Sequence, residues 1–508
     1  LRSAALSLLL LLAGCASLAP RPPLPEAHVV AFSALTPLDL TIGEAEKRHA
    51  NQSGFRLIPE GPEAFAIRAR GAMLAGRSLD VQTYIWHADM TGGYLAHLII
   101  EAADRGVKVR LLVDDMNARG DNFAFAALDA HDNIEVRMFN PFSSREGKMS
   151  ALFEGIGSFG RINRRMHNKS WIVDNRIAII GGRNLGDEYF GASDETNFVD
   201  LDFALVGPIV REASASFDRY WNSAPAYPMG VLSPETVTAA NLAGLRETLK
   251  ADATKATGSR FASELKDDDA VQRLMKDNWP MHWSSRYRFV SDDPLKVQGK
   301  DGGLNGSEVL AFLTPLLRSA QEELTIISPY FVPGEDGTRH LVTQAQAGRN
   351  VQVLTNSLAA NDVAAVYGGY SQWREKLLRG GVKIWELKPL NGGTVESSMF
   401  GSQGASLHTK ALVLDSETVF VGSYNLDARS TSLNCEQGIF VQEPEVARQL
   451  KEIFTWDTNS EHAWSVTLPE GDLLWSDGKE SLDKAPSASM GRRFQAWLAS
   501  ILPVQSQL

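Results

Sequence analysis

Apolar positions along this chain fall into short blocks of two kinds, and the blocks recur in the same order. Ser78–Trp86 (SLDVQTYIW) and Glu323–Phe331 (ELTIISPYF) have strand character and end on aromatic residues. Each follows a run with helical spacing, Ala64–Ala75 in the first half and Val309–Ala320 in the second. A second helical run follows each, Tyr94–Arg105 and Gly337–Ala347. Then come Val107–Val113 with Ile134–Pro141, and Val351–Thr355 with Val382–Pro389, all of strand character. Strands alternating with helices of this length predict βαβ units on a parallel or mixed sheet. Because the order appears twice, the pattern predicts an α/β fold of two similar domains, each a mixed sheet flanked by helices.

The flanks read differently. Residues 1–15 (LRSAALSLLLLLAGC) hold an apolar run of about ten residues, short of the roughly 20 a spanning helix needs. The run fits the core of a secretory signal, and Leu12-Ala13-Gly14-Cys15 resembles a bacterial lipobox, with Cys15 as the lipid-bearing residue. The expected product is a membrane-anchored lipoprotein on the periplasmic side. Ala16 and Ser17, in place of an aspartate, favour the outer membrane over the inner. The proline-rich stretch Pro20–Pro25 predicts an extended spacer. Expected boundaries are a signal at 1–14, anchor and spacer at 15–50, domains at 51–245 and 304–470, a charged linker at 246–303, and a C-terminal extension at 471–508. Trp279-Pro280-Met281-His282-Trp283 in the linker is expected to pack at the domain interface, with lipid contact or the lining of a substrate channel as the alternative. Arg492, Arg493, Phe494, Trp497, Leu498, Ile501 and Leu502 give the extension an amphipathic helix. It can lie on a membrane or dock onto its own domain.

Composition narrows the class. The 508 residues are 44% hydrophobic and 22% charged, which fits folded domains and excludes a disordered or multi-span chain. A net charge of −11 argues against a nucleic-acid partner. The two cysteines, Cys15 and Cys435, cannot build a disulfide framework or a C-x-x-C site.

Each repeat closes on one pattern, H-x-K-x4-D-x6-G-[GS]-x-N. The first copy is His167, Lys169, Asp174, Gly181, Gly182 and Asn184; the second is His408, Lys410, Asp415, Gly422, Ser423 and Asn425. The apolar runs Trp171–Val173 and Ala411–Leu414 place each motif on a buried strand. Positions i and i+2 of a strand share a face, so each histidine projects with its lysine. Asp174-Asn175 and Asp415-Ser416 then fall in hairpin turns, where the aspartates support structure rather than react. One H-x-K is uninformative, whereas two full eighteen-position patterns closing a repeated domain are specific.

The set His167, Lys169, Asn184, His408, Lys410 and Asn425 has no carboxylate cluster or cysteine ligand set, so neither metal nor cofactor is expected. Two lysines and two amides are donors for an anion, and a phosphoryl group in transit spreads its charge over such donors. A neutral imidazole can attack phosphorus, and a protonated one can serve the leaving oxygen.

This duplicated pattern resembles the phospholipase D superfamily over roughly residues 55–470. The resemblance implies two phospholipase D-like domains in pseudo-two-fold arrangement around one metal-independent active site. It implies a nucleophilic His167, a general acid/base at His408, and an acidic residue after each motif that orients a histidine. Alignment of the segments after the motifs assigns that role to Asp200 and Glu436. Gly182 departs from the usual serine, which removes one hydroxyl. Gly181–Phe190 and Asn425–Ser430 are most similar to bacterial cardiolipin synthases of the C type. The implied function is phosphatidyl transfer between membrane phospholipids, with phosphatidylglycerol and possibly phosphatidylethanolamine as substrates. Hydrolysis to phosphatidic acid is one alternative. A nuclease of the same fold is another, favoured only by Arg161, Arg164 and Arg165.

Overall fold

The computed structural model describes residues 18, 20–31, 35–118, 122–143, 159–276, 279–299, 307–389 and 407–501. Cys15 and the apolar run before it lie outside the described residues.

The first sheet has nine strands: β1 (Ser53–Ile58), β2 (Ser78–Thr83), β3 (Lys108–Asp114), β4 (Ile134–Phe139), β5 (Ser170–Val173), β6 (Ile177–Gly181), β7 (Asp202–Val206), β8 (Ala226–Pro228) and β9 (His282–Ser284), in the order β8-β4-β3-β2-β5-β6-β7-β1-β9. The second has ten: β10 (Tyr287–Ser291), β11 (Glu323–Ile327), β12 (Asn350–Asn356), β13 (Lys383–Leu387), β14 (Ala411–Leu414), β15 (Thr418–Gly422), β16 (Gln437–Gln442), β17 (Ala463–Thr467), β18 (Leu474–Ser476) and β19 (Ser481–Leu482), in the order β10-β16-β15-β14-β11-β12-β13-β17-β18-β19. The stretches β4-β3-β2-β5-β6-β7 and β13-β12-β11-β14-β15-β16 are the same six-strand unit. In both, three parallel strands are followed by an antiparallel hairpin and a third antiparallel strand.

The longer helices are α1 (Pro37–Arg48), α2 (Gly61–Leu74), α3 (Met90–Asp104), α4 (Pro208–Asn222), α5 (Ala239–Ala256), α6 (Arg260–Asp267), α7 (Asp269–Met275), α8 (Glu308–Ser319), α9 (Gly334–Gln346), α10 (Ala364–Arg379), α11 (Pro444–Asp457) and α12 (Met490–Ile501). Each sheet has one face under helices such as α2 and α3 or α8 and α10, and its other face meets the sister sheet with α4 and α11 packed into the same core. Strand β5 shows the division: Trp171 and Val173 pack with Ala64 and Phe65 of α2 and Leu95 of α3, while Ile172 enters a core shared with Val413, Val421 and Ile439 of the second sheet. The period of two thus splits one apolar strand between a domain core and the interface.

Both hairpins turn on two residues with positive φ, Asp174 (52°) with Asn175 (56°) and Asp415 (51°) with Ser416 (53°). This is the two-residue turn whose twist matches flanking strands, and Asp and Asn tolerate it best.

Two segments expected as connectors are part of the first domain. In the expected spacer, Arg21 Nε donates to Ala226 O (2.7 Å), Ala27 N to Asn222 Oδ1 (3.0 Å) and Val29 N to Asp218 Oδ2 (2.9 Å), so it runs along the end of α4. Helix α1 follows, capped by Thr36, and its buried Asp39 bonds Arg77 and Arg176. In the expected linker, Leu242, Leu245, Leu249 and Ala253 form the buried face of α5, which packs on α3. The chain passes from the first sheet to the second between β9 and β10. Trp279 donates to Glu63 (2.6 Å) and Trp283 stacks on His49 (4.2 Å), while His282 between them meets Gln449 of α11 (3.0 Å), so the cluster packs mainly on the first domain and touches the second.

Candidate active site

The histidine-bearing segments are extended and lie just ahead of β5 and β14 rather than within them. Each is held by the other half of the molecule. Met166 forms a parallel bridge with Cys435, and Leu407 forms one with Val199. His167 N donates to Cys435 O (2.8 Å) and His408 N donates to Val199 O (2.7 Å). The residues after Val199 and Cys435 are Asp200 and Glu436, so the bridges bring each acid to the opposite histidine. His167 Nδ1 lies 2.9 Å from Glu436 Oε2, and His408 Nδ1 lies 2.6 Å from Asp200 Oδ2. Carboxylates on both Nδ1 atoms leave both Nε2 atoms for chemistry. The sequence pattern paired the acids with the motifs; the exchange between halves is visible only in three dimensions.

The two couples differ in one respect. Ser423 Oγ donates to Glu436 Oε2 (2.5 Å), and Ser430 Oγ donates to Glu436 Oε1 (3.0 Å). At the matching position of the first half, Gly182 has no room for a side chain: a Cβ there would stand 2.1 Å from Asp200 Oδ1. The departure at Gly182 therefore does more than remove a hydroxyl, because it makes space for the carboxylate.

These groups are buried, His408 nearly so, and burial sets their charge. Desolvation, opposed by Glu436, pulls His167 down to about 4; desolvation and Lys410, opposed by Asp200, pull His408 down to about 3. Burial also lowers Lys169 well below the lysine range and brings Lys410 to about 8. Both carboxylates are lowered, burial being outweighed by the imidazoles and lysines. Each lysine ammonium donates to the carbonyl of its own motif histidine. Asn184 Oδ1 accepts from Ile85 N (3.2 Å), while its buried Nδ2 has no partner among the described residues. The backbone N–H of Asn425 donates to Ser430 Oγ (3.2 Å), and its side-chain Oδ1 is buried with no partner among the described residues.

Asp174 and Asp415 stand away from this chemistry at the hairpin tips. Asp174 accepts from the amides of Gly76, Arg77 and Ser78, and Asp415 accepts from those of Gln321, Glu322 and Glu323. In each half the carboxylate ties the hairpin to the start of the neighbouring parallel strand.

Sequence reasoning missed several neighbours. Tyr84 meets His167 edge to face (5.2 Å), and Tyr189 and Phe198 of the first half wall His408 (5.4 Å each). Tyr330 Oη donates to Asp362 (2.7 Å), whose carboxyl is pushed up to about 6 by burial while the charge of Lys410 opposes the shift. The closing aromatics of the two strand patterns were the only available signal for Tyr84 and Tyr330. Arg161, Arg164 and Arg165 donate to backbone or side-chain oxygens of the protein, and Arg165 is fully buried against Asp114. Among the described residues, His87, Asp89 and Glu188 have metal-ligand spacing, and none of them belongs to the motif pair.

A family model described as Cardiolipin synthase, PLD-like domain matches residues 72–221 and 313–458. Cardiolipin synthase C of Escherichia coli (strain K12) is 40% identical over 469 residues, covering 90% of this chain and 97% of that protein. An uncharacterized protein of Helicobacter pylori (strain ATCC 700392 / 26695) is 30% identical over 497 residues, covering 96% of each. The solved phosphatidylserine synthase of Haemophilus influenzae Rd KW20 shares the fold, with a TM-score of 0.51 at 12% identity over 84% of this chain and 91% of that one. The duplicated sheet unit, the paired motifs and these relatives agree: the chain belongs to the cardiolipin synthase family of phospholipase D-like proteins.

Proposed function

We propose that this protein moves a phosphatidyl group from one membrane phospholipid to the alcohol of another, making cardiolipin through a phosphohistidine. The observation that carries this reading is the pair of crossed histidine–carboxylate couples, joined by two buried lysines and the free Nδ2 of Asn184.

His167 Nε2 attacks phosphorus and the bond to the departing headgroup oxygen breaks. His408 Nε2–H protonates that oxygen. The alcohol of a second lipid then attacks, the P–N bond breaks, and the alcohol proton passes to His408. The assignment of nucleophile and acid follows the phospholipase D resemblance; His408, at about 3 against about 4 for His167, is the less basic of the two at rest and takes up its proton only as the substrate anion arrives. Both imidazoles are held neutral by burial and lysine charge, and an arriving anionic phosphodiester raises the proton affinity of the pair. Lys169, Lys410 and Asn184 would bind the equatorial oxygens, whose charge persists through the transition state. Asp200 and Glu436 orient the rings, and Asp174 and Asp415 support the fold.

Among the described residues no helix is long and apolar enough to cross a membrane. We propose attachment through lipid on Cys15, on the periplasmic side of the outer membrane. Phosphatidylglycerol, whose headgroup carries the free alcohol, is the proposed acceptor, and phosphatidylglycerol or phosphatidylethanolamine the donor, releasing glycerol or ethanolamine. The test is incubation with phosphatidylglycerol vesicles, alone or mixed with phosphatidylethanolamine, followed by lipid analysis. Cardiolipin is expected; phosphatidic acid as the sole product would make the enzyme a hydrolase, and no lipid product would refute the reading.

A further inference from the structure

Helix α12 is held to the protein by one narrow face. Ala496 and Ala499 pack on α10, where Gly368 lets the helices close: a Cβ at Gly368 would stand 2.3 Å from Ala496 O. Arg492 turns inward, and its guanidinium donates to the carbonyls of Leu358 and Asn361. Those residues belong to the loop that carries Asp362, the partner of Tyr330 beside Lys410. One end of α12 is therefore a single loop away from a catalytic lysine.

Among the described residues nothing covers the opposite face. Met490, Phe494, Trp497, Leu498 and Ile501 recur at i, i+4, i+7, i+8 and i+11, and Phe494, Trp497 and Ile501 are 59%, 56% and 60% exposed. Five of the twelve large hydrophobics exposed among the described residues lie on this one twelve-residue helix, so the patch is concentrated rather than scattered. In a chain of net charge −11, the only charges on α12 are Arg492 and Arg493. Arg493 donates to Ala485 O, one residue from the exposed Lys484. An aromatic and aliphatic stripe beside cations, with no acid in the helix, suits the boundary between acyl chains and anionic headgroups.

We infer that this face of α12 is a membrane-docking surface that seats the protein on an anionic phospholipid bilayer and sets its active site against the headgroups. The inference deepens the proposed phosphatidyl transfer and rests on it for the substrate. The helix needs no rearrangement, since its small-residue face already holds it to α10. Its apolar stripe enters the bilayer surface while Arg493 and the exposed Lys484 stand beside the lipid phosphates.

The test uses the full chain carrying Cys15→Ser, so that no lipid at that position masks the contact. Binding to sucrose-loaded vesicles of phosphatidylglycerol and phosphatidylethanolamine is compared for this chain and for the same chain with F494S, W497S and I501S. The triple change should weaken partition at least about tenfold and depress transfer on vesicles, while turnover of dispersed short-chain phosphatidylglycerol is kept. Brominated acyl chains should quench fluorescence in the parent, with a smaller effect in W497F. Equal partition, or no difference in quenching, overturns the inference. So does a monomer formed from a parent dimer, which would assign the face to a second copy. If the triple variant melts early, the quenching contrast alone decides. A parent that binds vesicles yet makes no lipid product leaves the docking surface standing and removes the transferase reading.

Discussion

Replacing Gly182 with serine makes the first motif match Gly422-Ser423 of the second, so it looks like a repair. The structure predicts damage. A Cβ at position 182 would lie 2.1 Å from Asp200 Oδ1, 2.9 Å from Cγ and 3.0 Å from Oδ2, all inside the ordinary contact distance of 3.4 Å. The glycine sits at the end of β6 and Asp200 is pinned through Leu201 N (2.8 Å), so the carboxylate must swing away. It then loses the 2.6 Å contact with His408. A charge-assisted hydrogen bond of this kind is worth about 1.5–3 kcal/mol, which corresponds to about 10- to 150-fold in rate. G182S should therefore lower kcat for lipid transfer by about 10- to 150-fold, with KM little changed, because the phosphate donors Lys169, Lys410 and Asn184 are untouched. The reverse change, S423G, leaves the Glu436–His167 contact and the Ser430 donor to Glu436 in place, so it should cost less than G182S. Steady-state kinetics on mixed vesicles, normalised to folded protein by circular dichroism, gives both values. A G182S enzyme with the parent kcat would refute the claim that Gly182 makes room for the Asp200–His408 couple.

Other expectations follow from the same geometry. His167→Ala and His408→Ala should each abolish turnover, with Lys169→Ala and Lys410→Ala nearly as severe; full activity in either histidine variant contradicts the two-histidine chemistry. Lys410, brought down to about 8 by burial, is charged below that pH and neutral above it, so phosphate affinity should fall and KM rise as pH passes from 7 to 9; a flat KM over that range contradicts its role. Asp174→Asn should cost about 1–3 kcal/mol of stability through the amides of Gly76, Arg77 and Ser78, with activity per folded molecule retained; a stable but inactive variant would place Asp174 in the chemistry. Transfer should persist in EDTA, and loss of activity restored by a divalent cation would contradict the histidine–lysine account.

Local patterns carried much of the fold. Strands such as β2 and β11 and the turns Asp174-Asn175 and Asp415-Ser416 could be read because periodicity and turn chemistry are short-range. The paired motifs were legible because the repeat placed them twice. What could not be read was long-range. The exchange of acids between halves depends on single bridges, Met166 with Cys435 and Val199 with Leu407, which leave no periodic trace. Gly182 read as a missing hydroxyl because the space taken by Asp200 arises only when β6 and the segment before β7 lie side by side. The proline-rich stretch read as a spacer because its partners, Asn222 and Asp218, lie on a helix almost two hundred residues away. The charged stretch after it read as a linker because the mixed composition of α5 concealed its four-residue apolar face.

The central claim is that two half-sites form one centre whose nucleophile is His167. Trapping the intermediate tests it most directly. Radiolabelled phosphatidylglycerol is mixed with the enzyme, the reaction is quenched in alkali, and the labelled peptide is identified by mass spectrometry. An acid-labile, alkali-stable phosphoryl adduct on His167 is predicted in the parent enzyme, and none in His167→Ala. An adduct on His408, on a hydroxyl side chain, or on no residue at all would contradict the account.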